Sequence, residues 1–98
     1  MNAKTANAIE MKEAVARAKA FILDLFADEN VDNIELEEVD FASRVGHWLV
    51  VLSFQKAVDP NLTGALAIAL QRVTREKKTV RINQSGDVIS VTNSKPFT

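Results

Sequence analysis

His47 is the only histidine in the sequence, and it directly precedes Trp48, the only tryptophan. An imidazole beside an indole at a strand end is the raw material of a shallow aromatic-lined site. Strand alternation sends neighbouring side chains to opposite faces, however. The spacing therefore predicts a strand-edge histidine and a core tryptophan in phase with Val50, Leu52 and Phe54. Glu35 and Glu37 are the next candidates. Two residues apart on a strand, they stand about 7 Å from each other, near the separation of the carboxylate pairs that hydrolyse glycosides. Nothing in the sequence builds a cleft that would raise either pKa, so two solvated glutamates on an open strand face is the reading it favours. No nucleophile elbow or triad signature accompanies the serines and aspartates. The expectation is no catalytic residue and no cofactor. The chain has no cysteine, which excludes disulfides and thiolate ligands, and no metal site is expected from oxygen donors and one histidine.

Charge is distributed less evenly than the net value of -1 implies. From Ala20 through Ser43 there are eight acidic residues and no lysine or arginine. Arg72, Arg75, Lys77, Lys78 and Arg81 then follow within ten positions, opposed only by Glu76. Either these segments face each other inside the fold, or they serve a partner. The N-terminal region interleaves charges with its apolar residues, and no run approaches a membrane-spanning length, so a cytoplasmic protein without membrane contact is expected.

The elements that must position these groups follow from periodicity. Ala8, Met11, Val15, Ala18, Ile22 and Leu25 recur at intervals of three and four, which predicts a helix over about 7–28 with one buried face. Asn7 followed by Glu10 has capping-box spacing, and Asn30 suits a left-handed stop. Ile34 and Leu36 alternate with glutamates, as do Val39 and Phe41, but the two pairs are out of phase by one residue. A β-bulge near Glu37 and Glu38 would return all four apolar side chains to one face. The segment His47–Phe54 is apolar on both faces, with Leu49 and Val51 opposite the Trp48 row, and reads as the central strand. Asp59-Pro60 opens a short second helix carrying Leu62, Leu66, Ala69 and Val73, or else an irregular crossover. Strands over about 78–83 and 87–92 close a hairpin around Gly86, with Val80 and Ile82 facing Ile89 and Val91. Residues 93–98 carry no pattern. The 98 residues thus predict one α+β domain with an ordered core of about 7–92: a helix packed on a four-stranded antiparallel sheet.

The order helix, strand, strand, connection, hairpin, ending in Ile82, Gly86, Val88 and Ile89, resembles the small PepSY-like and cystatin-like α+β domains of bacteria over about residues 8–92. That resemblance implies the same helix-on-sheet fold. The cystatin inhibitory loop has no counterpart here; Gln84-Ser85-Gly86 matches it only in part.

These readings converge on a protein-binding or regulatory module, or a homodimer, that uses a second apolar sheet face formed by Leu49, Val51 and Val88 together with a charged patch. A nucleic-acid binder working through Arg72, Arg75, Lys77, Lys78 and Arg81 is the alternative, limited to phosphate contact because no aromatic residue is interleaved with these cations. A small-ligand pocket beside Trp48 and His47 is the third.

Overall fold

The computed structural model describes residues 8–56, 64–65 and 75–93. Helix α1 spans Met11–Leu25, and a 3-10 turn follows at Ala27–Glu29. Strands β1 (Val31–Ala42), β2 (His47–Lys56), β3 (Glu76–Asn83) and β4 (Val88–Thr92) form one antiparallel sheet in the order β1-β2-β3-β4. The helix-on-sheet expectation is met. The expected second helix falls on a segment of which only Gly64 and Ala65 are described, and it lies outside the described residues, as do residues 94–98 of the expected tail.

Helix α1 buries Ala14, Ala18 and Ile22 completely. Two of these three are alanines, so the helix backbone approaches the sheet closely, while Ile22 reaches into the row of Val50, Leu52, Phe54, Val80 and Ile82. Glu10 occupies the N-cap position with extended backbone and no side-chain cap, so the helix starts later than the stripe suggested. The expected capping residue, Asn7, lies outside the described residues. At the other end the Phe26 N–H donates to the Ile22 carbonyl at 3.0 Å, and Asn30, at φ 51°, turns the chain into β1 as expected.

Strand β1 carries the predicted bulge. Leu36 pairs with Leu52 and Glu38 with Val51, leaving Glu37 as the extra residue. Leu36, Val39 and Phe41 consequently stand opposite Leu52, Val50 and Trp48 on the helix side, and Ile34 joins the same core. A second irregularity, between Asp32 and Glu35, was not signalled by alternation; Asn33 takes a positive φ of 53° there. In the closing hairpin the Asn83 side chain accepts from the Ser85 and Asp87 amides, and Gly86 adopts φ 94° against the Arg17 guanidinium. A register shift beside Arg81 and Ile82 pairs Ile82 with Val88 and Val80 with Val91. Ile89 is therefore not opposite Ile82: it is half exposed, and Val88 packs on the core in its place.

Candidate functional site

Trp48, Glu35 and Glu37 each have a structural role. Trp48 packs against the core and stacks on Phe41 with ring centroids 4.8 Å apart. Register places His47 on the opposite face, and among the described residues neither His47 Nδ1 nor Trp48 Nε1 has a hydrogen-bond partner. Glu37 accepts from the Ser53 hydroxyl, and Glu35 lies 3.2 Å from Arg75. The two glutamates thus share a bridging hydroxyl–guanidinium group, since Arg75 Nε also donates to Ser53 Oγ at 3.1 Å. Among the described residues no group of three or more acidic, histidine or cysteine side chains is placed to hold a metal.

The basic segment is divided between faces and partly used within the fold. Arg75 ties β1 to β2 through Glu35, the Asn33 carbonyl at 2.8 Å and the Ser53 carbonyl at 3.3 Å. Lys78 pairs opposite Leu52 on the helix side, over the Phe26 ring and bonded to Asn93. Lys77 and Arg81 stand on the reverse face, opposite Ser53 and Leu49. Arg72 lies outside the described residues. The described cations do not form one surface. Lys56 provides the clearest internal pairing of acid with base: its ammonium lies 2.6 Å from Glu29 and 2.8 Å from Glu76. The hydrogen bonds that Lys56 donates to Glu29 and Glu76 raise its pKa above the ordinary 10.5, and the bond from Lys56 holds Glu76 below its ordinary 4.5. The same lysine offsets the unfavourable position of Glu29 after the helix C-terminus.

Leu49, Val51 and Val88 do not make a common apolar patch. Val88 belongs to the helix-covered face, because the shift beside Ile82 turned it inward. Leu49 is half-buried, and Val51 is only 3% exposed within the single chain, as are its neighbours Ser53 and Thr79 at 2% each. A second copy would find little of Val51 to touch.

Exposed apolar surface gathers instead where α1 meets β1. Met11 (48% exposed), Val15, Ala16, Leu36 (43%) and Val39 line an open groove of about 380 Å³ with almost no polar lining, and Lys12 and Lys19 form its helix-side rim. Phe41 continues the row along β1 and is 36% exposed. β1 is an edge strand: among the described residues no strand pairs with its outer side. The carboxylates of Glu38 and Asp40 occupy its reverse face, opposite Val51 and Leu49. Asp40 also accepts from the Phe41 N–H at 2.9 Å. Alternation predicted both rows of β1, but it could not show that the helix, set by Ala14 and Ala18, leaves the Leu36 row half open. That follows from helix position, which sequence periodicity does not encode.

No protein-family model, curated protein or solved structure matches this chain. The likeness to PepSY-like and cystatin-like domains therefore rests on element order and the closing hairpin alone. Among the described residues no helix is long and apolar enough to cross a membrane.

Proposed function

We propose that this chain is a small protein-binding module whose contact surface is the flank where α1 meets β1. The supporting observation is the groove itself: Met11 and Leu36, which line it, and Phe41, further along β1, leave a third to a half of their area in water. Single exposed apolar side chains are ordinary on a soluble domain, but a lined groove beside an open strand edge is the form in which a partner segment is received. The internal use of Arg75 and Lys78 takes support from the nucleic-acid reading, and neither His47 nor Trp48 lines this groove, which leaves the ligand-pocket reading without its two residues.

A photo-crosslinking amino acid placed at position 36, and separately at position 89 on the opposite edge, tests this in cells that make the protein. A discrete adduct to one identified protein, or to a second copy of the chain, is expected from position 36 only. Equal labelling from both positions, or none from either, would overturn the reading.

A further inference from the structure

One helix does not cover four strands. A helix is about 10 Å across and neighbouring strands are about 4.8 Å apart. Seated on Val50, Leu52 and Phe54 of β2 and on Val80 and Ile82 of β3, α1 therefore spans those two strands and little more. The outer strands are finished differently. On the β4 side Arg17 reaches across to donate to the Gly86 carbonyl at 3.3 Å, and Asp24 and Asp87 border the same surface. The β1 side is the apolar groove, with Met11 and Val15 on its helix wall and Leu36 and Val39 along β1. Charge around this groove is one-sided. Of the charged side chains of α1, Glu13 and Arg17 pair with each other at 2.8 Å, and Asp24 lies on the opposite flank. Lys12 and Lys19 remain, both on the groove's helix-side rim, and among the described residues neither makes an ion pair or a hydrogen bond. Seven positions apart, they are separated by about 10 Å along one side of the helix, or about two turns. The carboxylates of β1 do not line the groove: Arg75 holds Glu35, Ser53 donates to Glu37, and Glu38 and Asp40 are on the reverse face.

Resting on the protein-binding reading above, we infer that the groove takes an amphipathic helix of a partner protein, laid beside α1 over the β1 row, with acidic residues along the margin that faces α1. Met11, Val15 and Lys19 recur every four residues and so form one ridge of α1, the kind of surface against which a second helix interlocks at about 8–10 Å. A helix in that position continues the helical layer outward over β1. Its apolar side chains, three and four residues apart, enter between Met11 and Leu36. Its register is set by charge: two carboxylates seven residues apart on one margin meet Lys12 and Lys19 together. A helix with a basic margin is repelled at both points. The α1 of a second copy is excluded on the same ground, because its own margin carries the same two lysines.

The test uses the full chain and three fluorophore-labelled, alanine-rich peptides of about eighteen residues, long enough to be helical in water. The first carries a leucine stripe with glutamates seven residues apart on one margin, the second has lysines in place of the glutamates, and the third is the first with a central proline. Anisotropy titration is expected to show binding of the first and at least about tenfold weaker binding of the other two, since two ion pairs turn repulsive in one and the helix breaks in the other. In the double variant Lys12→Glu, Lys19→Glu, at an exposed and a half-buried position, the preference is expected to reverse, with the lysine peptide bound about tenfold more tightly than the glutamate one. Unfolding of the variant would abolish binding of both peptides and does not produce a reversal. Equal binding of the glutamate and lysine peptides would overturn the acidic partner, and equal binding of the proline peptide would overturn the helix. A position-36 crosslink to a second copy, or to another protein without any peptide binding, would overturn this inference while the binding flank stands. Absence of both crosslink and peptide binding would remove the flank as well.

Discussion

Replacing Ala18 with leucine probes the contact on which the exposed flank depends. Ala18 is wholly buried, at the centre of the α1 face that packs on Val50, Leu52, Val80 and Ile82. Three added carbons press on those packed side chains, so the helix must lift or tilt, at a cost of about 1–3 kcal/mol by the usual toll of overpacking. In a domain of this size each kcal/mol lowers the melting temperature by about 4–8 °C, which makes a drop of about 10 °C the central expectation. Ala20→Leu is the matched control. It places the same side chain in the same helix at an exposed position, so the change in helix propensity is shared and its stability is expected within about 0.5 kcal/mol of the parent. Thermal unfolding followed by far-ultraviolet circular dichroism, with urea titration alongside, compares the two. If Ala18→Leu proves as stable as Ala20→Leu, the helix is not held close to the sheet by its alanines. The reason given for the half-open Leu36 row would then be wrong.

Leu52→Ala and Leu36→Ala, which face each other across β1 and β2, are expected to differ sharply: about 2–5 kcal/mol for the buried Leu52 and about 1 kcal/mol for the half-exposed Leu36, measured by urea unfolding. Gly86→Ala places a Cβ 2.7 Å from the Arg17 guanidinium at φ 94°, for a loss of about 1–2 kcal/mol; adding Arg17→Ala should recover the steric part and leave the backbone part. The Lys56–Glu76 pair gives stability two pH limbs. Glu76 titrates below its ordinary 4.5, so its contribution is present above that value and lost as pH falls through the lowered folded pKa. Lys56 titrates above 10.5, so its contribution is present below that value and lost as pH rises through the raised one. Both side chains are about a third exposed, so each limb is worth at most about 1 kcal/mol, and Lys56→Met should flatten both in a melting-temperature series against pH.

Local patterns were legible wherever one face of an element is buried. The three-four spacing of α1, the alternation of β2 and the phase slip at Glu37 all report a side chain's need to reach a core, and each matches the structure. Asn30 and Gly86 were legible for a different reason, the cost of positive φ to other residues. What could not be read depends on relations between elements. Val88 and Ile89 are both β-branched and apolar, and either fits the strand; the turn geometry around Asn83 and the register shift beside Ile82 decide that Val88 goes inward. Charge counts likewise could not show that Arg75 would bond to Glu35 and two β-strand carbonyls, because that contact joins residues 22 to 42 positions apart. The candidate surface moved from the reverse face to the β1 edge for this reason: burial of Val51 and exposure of Leu36 are properties of packing, and both residues look alike in an alternating sequence.

Among the described residues the sheet keeps the order in which its strands are written, β1-β2-β3-β4, so every ladder there joins consecutive strands. β1 and β2 are joined by four residues, as are β3 and β4, while β2 waits for β3, whose partners lie 22 to 36 positions further on. During synthesis α1, β1 and β2 are complete by Lys56 and already hold Ile22, Val50, Leu52 and Phe54 of the core, while Val80 and Ile82 arrive with β3 to close it. Assembly can therefore follow translation, growing the sheet one edge at a time from a helix-backed hairpin.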